Sequence, residues 1–232
     1  MKKLFLIVCT AVFFASCDGI HGSGNIVTEK RNTGSFRGIS TGGAYDVELS
    51  TGPYAVEVEA DDNVIKYIST RVDDGILEIK KRGGLSLNNS HVKIYVSAPD
   101  INYLRSSGAA NIRVKDILNS DKKITLKSSG AAGIEAAVDA PEIDADASGA
   151  ATIKLKGRTR DFTAEASGSA AIKSSDLLTE NTTAKASGAA DIKVHASVQL
   201  DARASGAANI HYNGEAAVKQ HTSGAASIKK TD

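Results

Sequence analysis

Cysteine, proline, tryptophan and any surplus of charge are scarce in this chain. Its 232 residues include two cysteines, three prolines, no tryptophan and 5% aromatics, and 28 basic against 27 acidic side chains leave a formal charge of +1. So even a balance excludes a basic nucleic-acid surface and a polybasic membrane patch. Apart from Leu4 to Phe14 there is no long apolar run, so no later segment reads as a membrane span. The chain also lacks a Gly-x-Ser-x-Gly elbow, zinc-ligand spacing, a Walker loop and a dinucleotide fingerprint. Its histidines (His21, His91, His195, His211 and His221) are scattered among polar neighbours.

Met1-Lys2-Lys3 followed by the apolar run is a secretory signal, too short for a mature anchor. Phe14-Ala15-Ser16-Cys17 resembles a bacterial lipobox, with phenylalanine where leucine is commoner, and predicts diacylglycerol on Cys17 as the new N-terminus. Cleavage removes residues 1–16 with two lysines and no acid, so the formal charge becomes −1. Cys9 leaves with the signal and Cys17 carries lipid, so no disulfide is available despite export. The reading is a soluble body tethered by lipid to the cell envelope, at the outer membrane.

What is abundant is a repeat. Ser-Gly recurs with glycines at 108, 130, 149, 168, 188, 206 and 224, mostly followed by Ala-Ala. The intervals of 18 to 22 residues are about one coil of a β-solenoid. Ile143-Asp144-Ala145-Asp146-Ala147 and Leu200-Asp201-Ala202-Arg203-Ala204 alternate with period two, as half-buried strands do. After each Ser-Gly a second short strand carries an aliphatic: Ile112, Ile134, Ile153, Ile172, Ile192, Ile210 and Ile228. A helix is disfavoured, because a glycine in every repeat costs about 1 kcal/mol in a helix interior. The left-handed hexapeptide solenoid needs an aliphatic at every sixth residue, and the calcium-binding nonapeptide solenoid needs Gly-Gly-x-Gly-x-Asp; neither pattern is present. Alanine buries little area, so stability must come from repetition and backbone ladders.

Before the repeats, residues 17–23 read as a flexible tether and 24–100 as a β-rich head, with the solenoid over 101–232. The head has larger alternating strands such as Tyr45-Asp46-Val47-Glu48-Leu49 and Val92-Lys93-Ile94-Tyr95-Val96. Turn signals stand at Thr51-Gly52-Pro53, Asp73-Asp74-Gly75 and Asn88-Asn89-Ser90. Asp61-Asp62-Asn63 predicts the start of one short helix. Gly43-Ala44-Tyr45-Asp46-Val47 is a degenerate repeat, which suggests that the solenoid begins there and carries an inserted sheet.

Gly22-Ser23-Gly24-Asn25-Ile26, Phe36-Arg37-Gly38-Ile39, Val58-Glu59-Ala60-Asp61-Asp62-Asn63 and Leu77-Glu78-Ile79-Lys80, followed by serial Ser-Gly-Ala-Ala, resemble the head GIN domain family from about Gly22 to Asp232. Members are described as autotransporter adhesins, frequent as lipoproteins in Bacteroidota. The resemblance implies an all-β fold, a stacked parallel β-solenoid of the right-handed β-helix type, in the cell envelope. It supplies no catalytic residues and no cofactor.

Two surface features could carry function. Glu142, Asp144 and Asp146 share one strand face, with Glu165 one coil later; this suits calcium or paired-acid chemistry on a polysaccharide, or a solvated face neutralised by Lys185 and Arg203. One residue after each aliphatic stand Arg113, Glu135, Lys154, Lys173, Lys193, His211 and Lys229. Lys154, Lys173 and Lys193 form a basic rail that would meet an anionic glycan or simply keep the sheet soluble. The expected role is a non-catalytic adhesin or scaffold whose partners are the membrane, through lipid, and an envelope or host glycan or protein. The alternative is a carbohydrate-active β-solenoid enzyme.

Overall fold

The glycine of each repeat stands at positive φ, +74° to +78° at positions 108, 130, 149, 168, 188, 206 and 224, where other residues are strained. A side chain there would also collide with the coil below. A Cβ on any of these glycines would lie 2.7–3.0 Å from the carbonyl oxygen of the preceding glycine, beginning with Gly43 under Gly108. Local turn chemistry and long-range stacking thus select the same residue, and the stack runs through eight glycines from 43 to 224.

The computed structural model describes residues 19–83 and 86–231; the signal segment and Cys17 lie outside the described residues. The fold is an all-β parallel solenoid. On one side of the glycine stack lie Gly38–Gly43, Tyr103–Gly108 and Ile124–Gly130, followed by the ends of three long strands, Gly133–Gly149, Thr152–Gly168 and Ala171–Ala186, and then Gln199–Gly206 and Ala217–Gly224. On the other side lie Asp46–Thr51, Asn111–Asn119, the starts of the same long strands, Asp191–His195, Asn209–Asn213 and Ser227–Lys230. The long strands turn a second corner. Buried positions fall on 134, 136, 138 and 140, then on 143, 145 and 147, so Pro141 and Glu142 are consecutive non-buried residues where the phase changes.

The predicted aliphatics stack in register as Ile112, Ile134, Ile153, Ile172, Ile192 and Ile210, all buried, and continue to the half-buried Ile228. Before them come Val47 and Ile94. Across the glycine turn, an inward ladder passes from Leu77, Ile39, Leu104 and Leu126 to Ala145, Ala164, Ala184 and Ala202. All belong to one core cluster. Burying a methyl-sized group contributes about 0.8 kcal/mol, so the alanine coils depend on their backbone ladders more than the front coils do.

The front half departs from chain order. Ile76–Lys81 stacks parallel on Gly38–Gly43, and Val92–Ala98 on Asp46–Thr51, on the side opposite the later repeats. A coil that follows in sequence therefore precedes in space. Antiparallel strands cover it: Ile68–Asp73 through a two-residue Asp74-Gly75 turn with both φ positive, and Ala55–Asp61 backed by Ile26–Arg31. The predicted helix is only a single 3₁₀ turn, Ile65–Tyr67.

The segment expected to be flexible around residues 18–23 is held from residue 19 onward. Gly19–His21 pairs parallel with Ser86–Asn88. Ser23 Oγ donates to Asp62 Oδ1 at 2.6 Å, Gly24 N to Asp61 Oδ1 at 2.7 Å, Asn25 Nδ2 to Asp62 Oδ2 at 2.9 Å, and Asn63 Nδ2 to the His21 carbonyl at 2.8 Å. The Gly-Ser-Gly-Asn and Asp-Asp-Asn sequences are therefore two halves of one lock. Both Asp62 hydrogen bonds favour the ionised carboxylate, Ser23 first and Asn25 second, and hold it below the usual carboxylate range.

Candidate functional site

The rail follows from strand alternation. Ile153, Ile172 and Ile192 point inward, so the next residue of each strand points out. Register places Glu135, Lys154, Lys173, Lys193, His211 and Lys229 on consecutive rungs. Rungs of a parallel sheet are about 4.8 Å apart. At that spacing two ammonium groups repel by about 0.9 kcal/mol in water, a cost the long lysine stems reduce by splaying. The preceding rungs are compensated: Arg113 approaches Glu135 at 4.0 Å, and Lys115 and Lys93 share Glu48 at 3.2 and 3.1 Å. These lysines, Lys93 first, hold Glu48 below its ordinary range. Lys154, Lys173 and Lys193 are exposed, and among the described residues no ion pair with an acid forms at any of the three.

Beside the rail runs a groove of about 1570 Å³ whose lining includes Lys154, Lys173, Lys156, Lys115, Ile117 and His195. Lys193 lies outside the lining. The groove follows the irregular stretch where the ladder shifts register between Lys154 and Lys156 and Gly157 takes φ +117°. A Cβ on Gly157 would collide with the Val138 carbonyl oxygen, so the concavity has a sequence requirement of its own.

The acidic face is organised differently from expectation. Lys123, from the preceding coil, reaches Asp144 at 2.5 Å and Glu142 at 2.9 Å, and these two hydrogen bonds raise its ammonium above the ordinary lysine value, Asp144 contributing more. Lys185 pairs with Glu165 at 2.8 Å, while Arg203 turns along its own strand to Asp201 at 3.0 Å. Lys185 thus neutralises Glu165 as expected, whereas Glu142 and Asp144 are neutralised by Lys123 and Arg203 pairs with Asp201 instead. Asp146 is in register with Glu165, and both line a hollow of about 280 Å³ with Lys185, Arg203 and His221; Asp144 does not line it. Among the described residues no three His, Cys, Asp or Glu side chains are grouped to hold a metal ion.

The alternation-based reading missed a buried polar knot. Thr179 Oγ1 and Thr182 Oγ1 are hydrogen-bonded to each other at 2.6 Å, and the hydroxyl whose proton is left free donates to the His195 carbonyl, which lies within reach of both and 2.8 Å from Thr182 Oγ1. His195 Nδ1 accepts the Thr179 N–H at 3.2 Å. The available signal is Thr182, which replaces the Ile143 and Phe162 of earlier coils at an inward position. His91 Nε2 lies 2.7 Å from Glu59 Oε1.

A family model described as "Putative auto-transporter adhesin, head GIN domain" matches residues 35–216. The fold is similar to a crystal structure described as a "putative adhesin" from Bacteroides fragilis NCTC 9343, with TM-score 0.86 and 20% identity over 92% of this chain and 100% of that one. It is also similar to one of the same description from Parabacteroides merdae ATCC 43184, with TM-score 0.75 and 20% identity over 93% and 100%. A third, described as a "putative lipid binding protein" from Parabacteroides distasonis ATCC 8503, has TM-score 0.74 and 20% identity over 92% and 99%. Comparison with curated proteins gives no match.

Proposed function

This chain belongs to the head GIN domain family, and from that premise we propose that it is a non-catalytic binding module of the cell envelope, an adhesin or scaffold. Its export signal and lipobox support an outer-membrane tether through lipid on Cys17. The observation that carries the binding reading is the run of Lys154, Lys173 and Lys193 on consecutive rungs, with no acid among the described residues paired to any of them. Such a run offers an anionic envelope or host glycan several weak contacts that add through multivalency. The adhesin description of two similar structures is consistent with it. The carbohydrate-active alternative has less support, because Asp144 is engaged by Lys123 and Glu165 by Lys185.

The test is a glycan array probed with membrane-extracted protein and with the K154Q/K173Q/K193Q variant. Retention of anionic glycans by the wild type, lost in a variant with an unchanged circular dichroism spectrum, is the expected result. Equal retention by the folded variant would assign the column to solubility. Mass spectrometry of the same preparation should find the lipid on Cys17, and an unmodified Cys17 would remove the tether from the proposal.

A further inference from the structure

The rail does not end at Lys193. His211 stands on the next rung and Lys229 on the one after, so neutral imidazole separates a run of three cations from a fourth, whereas imidazolium joins all five. Resting on the reading of the rail as an anion-binding surface, we propose that it takes a linear polyanion laid along the solenoid axis, and that His211 takes up a proton as the polyanion binds.

The surroundings of His211 set the direction. Lys193 is its neighbour on the strand before, where Asp191 and His195 are the diagonal outward groups. Lys229 is its neighbour on the strand after; Lys230 lies in register with Tyr212 and pairs with Glu215 at 2.8 Å. The His195 Nδ1 is already engaged, accepting the Thr179 N–H at 3.2 Å. Lys193 and Lys229 flank the imidazole on consecutive rungs, so a charge added between them completes the cationic run. A polyanion across the same rungs reverses the local potential and favours it. Since histidine ordinarily titrates between pH 5 and 8, affinity should rise as pH falls through that range.

Dextran sulfate is the probe, because its charge is constant there and any pH effect belongs to the protein. Affinity is measured against salt at about pH 5.5 and about pH 8. Each phosphate-like contact contributes about 0.7 to the slope of log affinity against log salt on a single-stranded polyanion. The wild-type slope should steepen by about that amount at the acid pH. H211Q should bind with one slope at both, and H211K should show the steeper slope at both. A wild-type slope independent of pH, or a pH effect that survives in H211Q, overturns the proposal. If K154Q/K173Q/K193Q binds dextran sulfate as tightly as wild type, it is the rail reading that has failed.

Discussion

At the scale of the residue, the repeat glycine carries two constraints that can be separated by experiment. Gly34 has φ +70° and open space within 4 Å of where a Cβ would stand, whereas Gly168 has φ +76° and would place a Cβ 2.9 Å from the Gly149 carbonyl oxygen. Alanine at positive φ costs about 1–2 kcal/mol at either site. Only at Gly168 must the stacked backbone also move, so Gly168→Ala should lose about 1–3 kcal/mol more than Gly34→Ala in chemical denaturation. Equal losses would mean that the turn conformation alone, and not the stacking, selects glycine. Gly22 is not a neutral reference, despite its place in the stretch read as flexible, because its Cβ would lie 2.5 Å from Asp61 Oδ2.

At the scale of the element, the Asp62 lock gives a pH-dependent prediction. Its carboxyl is held below the ordinary range by hydrogen bonds from Ser23 and Asn25, so its stabilising contribution is present above the unfolded carboxylate value and lost as pH falls through the depressed one. Asp62→Ala at neutral pH should mimic that loss. Amide exchange should quicken in Gly19–Asn25 and stay unchanged in Ile124–Gly130, and uniform exchange in the two segments would show that the lock does not hold the strand. The Ser-Gly turns and the aliphatic rungs were legible in the sequence because turn chemistry and alternation are local. The place of Ile76–Lys81 beneath Gly38–Gly43 and of Val92–Ala98 beneath Asp46–Thr51 was not, since either side of that coil offers an equivalent parallel edge. Lys123 was legible in principle. Aligning the two Ser-Gly segments sets Ile124 on Ile143 and Lys127 on Asp146, which puts Lys123 beside Glu142. The rail could be read as a column, but its freedom from acid partners could not, because an exposed lysine can turn toward any of several neighbouring strands.

At the scale of the molecule, the two ends of the stack solve the same edge problem in different ways. The front end is covered by antiparallel strands. At the other end Ala217–Gly224 and Ser227–Lys230 each have a ladder partner on one side only among the described residues. There the inward columns change character: Gln220 and Thr222 follow Ala202 and Ala204, and Lys230 follows Tyr212. A parallel edge with apolar columns would add another coil, including one from a second molecule, and the exposed polar or charged residues that continue these columns in the last coil oppose this. Restoring the apolar columns with Q220A, T222A and K230V should therefore leave the solenoid folded and make it self-associate through its last coil. Sedimentation velocity over a concentration series is the measurement, with wild type monomeric and the triple variant shifting to dimers or longer stacks. A folded triple variant that stays monomeric would show that these side chains do not guard the edge, and that the end is protected by the twist or strand length of the last coil.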